Sequence, residues 1–322
     1  MSSQLKVLVV GTPRSGTTLL QRLLVESLGI LIPPETHLFT RHFRALLAAC
    51  GSGDSSSLHQ LLVQMRSNSL PDLNEGRVHA LLPGGRRPSP IEVLRAIVAS
   101  QCEAGSEPRP LGEKTPGHLP YVGYLLEADP ELRAIAIVRD PRAVVASQLR
   151  VPWGAVSSDL AAGRWSFDQR ALRRIRRTHE SRLLTVSYEA MVSSSDEVMW
   201  EVRSFLGTAR SDSRTNRLGR RTPLFLEEET WKELSVGRVD GARAGAWSDE
   251  LSRFDCAVVE AACAGEMRRF GYEPSRTPGR SIMPRSRIRA AIEQQRRADR
   301  IRKRLHALHL LNGMSRTEVR DV

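Results

Sequence analysis

The stretch that decides the fold runs from Leu5 to Leu24 and reads LKVLVVGTPRSGTTLLQRLL. Its first part, Leu5–Val10, is a short, almost wholly apolar run, which predicts a buried strand. The loop Gly11–Thr18 follows, and leucines then recur at helical spacing from Thr17 to Leu28, which predicts a helix. A strand, a glycine-bearing loop and a helix in that order are typical of a phosphate cradle, because backbone N–H groups and the positive end of the helix attract anions.

Strands and helices are predicted to alternate along the rest of the chain. Four further strands are predicted at Ile30–Ile32, Pro110–Glu113, Arg133–Val138 and Leu183–Ser187. Helices are predicted at Leu119–Ala128, Pro141–Leu149, Glu197–Leu206 and Asp255–Phe270, and residues 37–104 mix helix and loop. This alternation predicts an α/β fold, a doubly wound and mainly parallel five-stranded sheet with helical insertions.

Positive charge is concentrated at the carboxyl end. The formal net charge is +12, and residues 276–322 hold thirteen basic and four acidic residues, a net +9 of that total. We therefore divide the chain into a domain at 1–275 and a basic helical extension at 276–322. A partial apolar stripe in the extension predicts a helix that packs on the core, contacts a membrane surface or an anionic partner, or forms a homodimer. Nucleic acid is not expected as a partner, because aromatic residues for base stacking make up only 5% of the chain.

Cysteine usage and the amino terminus indicate the compartment. The four cysteines show no C-x-x-C pairing, which favours a reducing environment. No secretory pattern precedes the first strand, whose apolar run is far shorter than a signal-peptide core or a membrane span. We therefore expect a cytoplasmic protein.

Polar residues follow each predicted strand at its carboxyl end. After the first strand comes the phosphate loop, and after the others come Glu35, Lys114, Arg139 and Tyr188. Right-handed crossovers place the carboxyl ends of parallel strands at one edge of the sheet, where ligands of open α/β sheets bind. The sequence therefore predicts one site that combines these groups.

The loop departs from the nucleoside-triphosphate pattern at one position. A Walker A loop reads G-x-x-x-x-G-K-[ST], and here Thr17 occupies the lysine position. Arg14, inside the loop, supplies positive charge instead. A P-loop kinase or NTPase remains an alternative, with Asp140 as its only suggestion of a magnesium ligand. A non-enzymatic anion- or nucleic-acid-binding protein is a second alternative, but it leaves Glu35 and Lys114 unexplained.

Two motifs together resemble those of the PAPS-dependent sulfotransferases (PAPS is 3′-phosphoadenosine 5′-phosphosulfate). TPRSGTTLLQRLL, residues 12–24, resembles the family's 5′-phosphosulfate loop in its arginine-bearing variant. IVRDPRAVVASQ, residues 137–148, resembles its 3′-phosphate segment. Further similarities lie in PPETH, GEKTP, SYEAMV, GAW and FGY, so the resemblance spans roughly residues 5–273. The bacterial group that shares features with tyrosylprotein and carbohydrate sulfotransferases is the most similar.

The resemblance implies a role for each candidate residue. The 5′ side of the nucleotide falls to the loop: Pro13, Arg14, Ser15, Gly16, Thr17 and Thr18. The 3′-phosphate falls to Arg139 and Ser147, the adenosine edge to Tyr188, and closure over the 3′-phosphate to Arg238 and Arg243. Glu35 is the expected base, with His37 as its rival, and Lys114 is expected to act on the transferring group. Structural alternatives also exist: an ion pair of Lys114 with Glu113, and of Arg139 with Asp140 or Glu189.

The expected activity is transfer of a sulfuryl group from PAPS to a hydroxyl or amine, in the class EC 2.8.2. By analogy with phosphoryl transfer, catalysis consists mainly of in-line positioning and stabilisation of charge. Arg14, the loop amides and the helix end are suited to the charge that develops on the leaving phosphate. Because the transferred group carries less negative charge than a phosphoryl group, no metal is expected. No motif identifies the acceptor, which is a small molecule, a glycan or a peptide.

Overall fold

The computed structural model describes residues 4–52, 55–84, 86–101, 110–208, 225, 229 and 241–275, with backbone alone at Ala242 and Arg243. The strands are β1 (Leu5–Gly11), β2 (Leu111–Lys114), β3 (Arg133–Val138) and β4 (Leu183–Ser187). The helices as far as β3 are α1 (Thr17–Leu28), α2 (Phe43–Ser52), α3 (Ser55–Asn68), α4 (Glu75–Leu81), α5 (Pro90–Ser100) and α6 (Val122–Ala128). Those after β3 are α7 (Pro141–Leu149), α8 (Ser158–Thr178), α9 (Tyr188–Ser193), α10 (Ser195–Leu206), α11 (Trp247–Glu250) and α12 (Arg253–Arg269). Short 3₁₀ segments lie at Pro116–Tyr121, Glu180–Arg182 and Gly241–Ala244. The predicted extension 276–322 lies outside the described residues.

The sheet is parallel, and its strands lie in the order β2-β1-β3-β4. Val9 in β1 stands opposite Lys114 on one side and Ile135 on the other. The predicted α/β architecture with a parallel sheet is confirmed, and all the carboxyl ends meet at one edge. The phosphate loop, Lys114 and the segment after β3 are therefore neighbours.

The prediction of a fifth strand at Ile30–Ile32 is wrong. In the described residues this segment makes a single bridge, Leu31 with Leu111. The Leu31 N–H donates to the Pro110 carbonyl at 3.0 Å, and the Gly112 N–H donates to the Leu31 carbonyl at 2.8 Å. Pro33 and Pro34 follow at once and have no N–H to donate, so the ladder cannot continue. The segment still lies beside β2, which brings Glu35 to the same edge of the sheet.

Helices cover both faces of the sheet, as a doubly wound fold requires. Alternate residues of β1 point to opposite sides, and all of them except Lys6 are buried. Val7 and Val9 pack with apolar side chains of α1 and α10. Leu8 and Val10 pack with those of α5, α6, α7, α8 and α12. Rigid cover on both sides holds the loop ends of the strands in place.

His42 gives the fold a predictable acid sensitivity. Its ring is buried, with Nε2 2.8 Å from the Ser69 Oγ. Burial, with help from the neighbouring positive charges, lowers the pKa of His42 from 6.5 to about 4. The unfolded chain therefore binds the proton at a higher pH than the folded protein does. The contribution of His42 to the free energy of unfolding is fully present above about pH 6.5 and is lost as the pH falls from there to about 4.

We expect His42→Gln, which retains a side-chain N–H but does not titrate, to remove part of this acid dependence. The histidine contributes up to about 3 kcal/mol to it. Urea unfolding at several pH values between about 7 and 4 measures the effect. A variant whose stability falls with pH as steeply as that of the wild type would show that His42 is not the sensitive group.

Candidate active site

The phosphate loop joins β1 to α1 in a conformation that needs its glycines. Arg14 and Gly16 have φ angles of 76° and 100°, in the left-handed region. A Cβ on Gly16 would lie 2.5 Å from the Cδ2 of Tyr188, and one on Gly11 would lie 2.6 Å from the carbonyl oxygen of Ile137. The loop is therefore pressed against β3 and Tyr188, and an added methyl group at either glycine would displace it.

The loop carries polar groups that suit an anion. The Ser15 hydroxyl is buried and has no hydrogen-bond partner among the described residues. Helix α1 begins after Gly16 with no side-chain cap, so its first N–H groups remain available at the loop. A buried donor without a partner is costly unless a ligand satisfies it. These features fit a phosphate or phosphosulfate group in the loop.

The two motifs of the sequence meet in space, although they lie far apart along the chain. Arg14 Nε donates to Ser147 Oγ at 3.0 Å, and Arg139 Nη1 donates to the Arg14 carbonyl at 3.3 Å. The Arg139 guanidinium also stacks on the Tyr188 ring, 4.1 Å from its centroid. The structure thus brings together four of the predicted nucleotide residues in one contact chain.

Three residues that sequence reasoning missed hold this arrangement. Gln148 Nε2 donates to the Pro13 carbonyl at 3.1 Å, and Gln169 Nε2 donates to the Thr12 hydroxyl at 3.3 Å. Trp165, which is fully buried, donates its indole N–H to the Arg139 carbonyl at 3.0 Å. Trp165 and Gln169 are four residues apart and so share one face of α8. Their spacing could have indicated that Trp165 and Gln169 lie on the same side of a helix, but nothing in the sequence indicated that this side of α8 meets the loop.

Lys114 and Glu35 form a buried ion pair beside the loop. The Lys114 side chain is 0% exposed, and its Nζ donates to Glu35 Oε1 at 2.6 Å. The other carboxylate oxygen of Glu35 lies 3.6 Å from His37 Nε2. The predicted base, its rival and the predicted lysine are therefore in direct contact. The alternative pairing of Lys114 with Glu113 does not form, because adjacent residues of a strand point to opposite faces.

Asp140 serves the framework of the site. It caps α7 by accepting the Arg142 N–H at 2.8 Å, and its carboxylate also binds the Arg142 guanidinium at 2.7 Å. Glu189 accepts the Asp140 N–H at 3.0 Å. Asp140 is thus engaged with Arg142, not with Arg139, and it is not poised to hold a metal. The kinase alternative loses its candidate magnesium ligand.

The predicted closing loop is described only in part. Arg238 lies outside the described residues, and for Arg243 the backbone alone is described, in the 3₁₀ turn Gly241–Ala244.

Across the described ranges, no cluster of three or more metal-binding side chains is present. Within the same ranges, none of the helices combines the length and the apolar character that a membrane crossing needs.

The fold and the site define a class, an α/β protein whose phosphate loop uses arginine and a nearby lysine–glutamate pair. A sequence model described as the sulfotransferase family matches residues 6–212, more than half of the chain. The chain belongs to the sulfotransferase family.

Solved sulfotransferase domains share the fold. One, from the curacin biosynthetic pathway, aligns with 85% of this chain and 100% of its own length at 16% identity and a TM-score of 0.55. Another, from the Synechococcus PCC 7002 olefin synthase, aligns with 84% of this chain and 96% of its own at 20% identity and a TM-score of 0.55. A search of the curated proteins finds no match.

Proposed function

We propose that this protein transfers a sulfuryl group from PAPS to a hydroxyl or amine of an acceptor by in-line displacement that needs no metal. The observation that carries the proposal is the hydrogen bond between Arg14 and Ser147. It joins the phosphate loop to the helix of the second motif. One ligand with phosphates at both the 5′ and the 3′ position would bridge these two elements, and PAPS is such a ligand.

The nucleotide side of the site supplies donors for both phosphates. Ser147 Oγ accepts from Arg14, so its own hydroxyl hydrogen is left to donate to the 3′-phosphate. Arg139 is held on Tyr188 by its ring contact, which limits the number of conformations it must lose on binding. The loop amides and the uncapped start of α1 serve the 5′ side. Tyr188 forms the adenosine edge in this arrangement, and Arg238 and Arg243 close over the 3′-phosphate.

The reacting side consists of Lys114, Glu35 and His37. In the transfer, the acceptor oxygen or nitrogen forms a bond to sulfur while the bond from sulfur to the 5′-phosphate oxygen breaks. Lys114 stabilises the transferring group, and Glu35 takes the acceptor proton. The ion pair couples these roles, because an ammonium drawn towards the sulfuryl oxygens releases the carboxylate to act as a base. Arg14 and the loop amides stabilise the charge on the leaving phosphate.

The nucleotide part of the proposal is tested by thermal unfolding. We expect adenosine 3′,5′-bisphosphate at about 100 times its Kd to raise Tm by roughly 5 °C or more, and 5′-AMP to have much less effect. The reason is that 5′-AMP leaves Arg139 and Ser147 without an anion. Equal shifts with the two nucleotides would contradict the assignment.

A Ser147 variant and a comparison with ATP and magnesium make this experiment more specific. Ser147→Ala should reduce the shift with the bisphosphate and leave that with 5′-AMP unchanged. ATP with magnesium should stabilise the protein less than the bisphosphate, and transfer should persist in the presence of a chelator. Dependence of transfer on added magnesium would favour the kinase alternative.

The cytoplasmic location and the membrane or dimer contact of residues 276–322 stay predictions.

A further inference from the structure

Glu113 is a buried carboxylate that the proposed reaction does not use. It lies in β2 next to Lys114 and is 0% exposed. Its Oε1 accepts the hydroxyl hydrogens of Thr36 at 2.9 Å and Thr115 at 2.5 Å. Its Oε2 lies 3.2 Å from the Nδ1 of His118. Burying a carboxylate costs free energy, which the three donors around Glu113 offset. The loss of any one donor would leave the negative charge of Glu113 poorly compensated.

Each of these three donors also receives a backbone N–H from the same short segment. Thr115 Oγ1 accepts the N–H of His37 at 3.4 Å, and Thr36 Oγ1 accepts that of Leu38 at 3.5 Å. His118 Nε2 accepts that of Phe39 at 3.1 Å. The backbone N–H groups of residues 37, 38 and 39 therefore donate to three side chains, and each of those side chains donates its own hydrogen to the Glu113 carboxylate.

The direction of these bonds depends on the Glu113 charge. A threonine hydroxyl has one hydrogen, so donating it to Glu113 leaves the oxygen to accept an amide. The His118 Nε2 accepts from Phe39, so the ring hydrogen is on Nδ1 and points at Glu113. Burial raises the pKa of the Glu113 carboxyl, but the electrostatic attraction of His118, together with the hydrogen bonds from His118, Thr115 and Thr36, outweighs burial and holds that pKa below its usual range. Glu113 is therefore ionised at neutral pH and accepts all three hydrogens.

The segment held in this way carries the predicted bases. His37 has a φ of 50°, in the left-handed region that non-glycine residues rarely adopt, so its conformation needs support from its surroundings. Glu35 directly precedes Thr36, just as Lys114 directly follows Glu113. The Glu113–Thr36 bond and the Lys114–Glu35 ion pair thus join the same two pieces of chain through adjacent residues.

We infer that Glu113 is a positioning residue, whose carboxylate fixes the backbone at residues 37–39 and thereby aims Glu35 and His37 at Lys114. The inference rests on the proposed function for the roles of those three residues. Glu113 itself does not contact the reacting atoms in this assignment, because it acts through two hydroxyls and an imidazole.

Glu113→Gln tests the inference because glutamine keeps the shape and removes one acceptor. If its amide nitrogen faces His118, that ring must move its hydrogen to Nε2, and Phe39 loses its acceptor. If the nitrogen faces the hydroxyls instead, their hydrogens lose their acceptor. We expect hydrogen exchange at the amides of residues 37–39 to rise about tenfold or more. In the first orientation we also expect the ring ¹⁵N shifts of His118 to change from the Nδ1–H to the Nε2–H pattern, and in the second they should keep the Nδ1–H pattern while the Thr36 and Thr115 hydroxyls lose their acceptor.

A second pair of variants covers the case in which Glu113→Gln does not fold. Thr36→Ser keeps the hydroxyl and should preserve slow exchange at Leu38, whereas Thr36→Val should raise it. Glu266→Gln on α12 is the matched control, since it also alters a buried carboxylate, one paired with Arg173 at 2.8 Å. It should leave exchange at residues 37–39 unchanged.

The binding readout links this network to the reaction. In Glu113→Gln and Thr36→Val, PAPS should bind more weakly relative to adenosine 3′,5′-bisphosphate, because Lys114 loses the fixed carboxylate that aims it. Unchanged exchange in both variants, or faster exchange with an unchanged affinity ratio, would overturn the inference. A wild type that binds neither nucleotide would instead overturn the proposed function, and the exchange data would then still decide whether Glu113 fixes this segment.

Discussion

Glu35→Gln is expected to lower turnover about a hundredfold or more while the affinity for adenosine 3′,5′-bisphosphate is preserved. Glutamine retains the size of the side chain and an oxygen that Lys114 can contact at the position of Oε1, 2.6 Å away. It cannot take a proton from the acceptor. Turnover is measured with labelled PAPS and an acceptor recovered from a screen of hydroxyl and amine compounds, and affinity by calorimetry.

His37→Gln is the control for this first prediction. The His37 ring lies 3.6 Å from the carboxylate of Glu35, so it is the other group able to accept a proton at this point. Full turnover in Glu35→Gln with a large loss in His37→Gln would transfer the role of base to the histidine. Loss of bisphosphate binding in Glu35→Gln would instead show that the carboxylate holds the nucleotide side together.

Lys114→Met is expected to weaken PAPS binding about tenfold or more and to leave adenosine 3′,5′-bisphosphate binding nearly unchanged. Only PAPS carries the sulfuryl group, and methionine fills the buried space without the charge. Turnover should fall as well. The variant should also unfold at a lower temperature, because Glu35, 11% exposed, loses the cation that compensates its charge.

Arg14→Ala provides the contrast for the lysine variant. Arg14 lies inside the loop and donates to Ser147, so its loss should weaken both nucleotides through the 5′ side. Calorimetric titrations of the two variants with the two nucleotides give four affinities. If Lys114→Met weakens both nucleotides equally, Lys114 serves the phosphates and not the transferring group.

The regular parts of the fold follow from local sequence. The predicted bounds of α1, β3, α7 and β4 are those of the structure, and in each case an apolar run or a helical spacing is bounded by glycine, proline or a capping residue. The segment Ile30–Ile32 has the same apolar character but ends at two prolines, so only Leu31 pairs. Its proline neighbours could have indicated that limit. The order of the strands could not be derived, since it depends on packing of helices against both faces.

The positions of some candidate residues could be predicted from the sequence, because their residue types have few plausible tasks at such places. An arginine in a phosphate loop and a lone lysine after a strand drew attention to Arg14 and Lys114, and the structure places both at the expected edge. The residues that hold the loop, such as Gln148 and Trp165, were not predictable, because a glutamine or a tryptophan on a helix usually has many partners available. Glu113 was considered only as a partner of Lys114, although its side chain points to the opposite face of β2.

The short segment after α12 determines how far this protein can be shortened from its carboxyl end without loss of stability. Two hydrogen bonds hold this segment: Tyr272 donates its hydroxyl to Glu189 Oε2 at 2.9 Å, and the Ser275 N–H donates to Oε1 of Glu260, a residue of α12, at 2.7 Å. Burial raises the pKa of Tyr272, so that hydroxyl keeps its hydrogen. A chain cut at the end of α12 loses both hydrogen bonds. Glu189, which accepts the Asp140 N–H, and Glu260, which lies 2.9 Å from the Arg142 guanidinium, then each lose one donor. We therefore expect a chain cut after Arg269, the last residue of α12, to be less stable than one cut after Ser275, six residues further on.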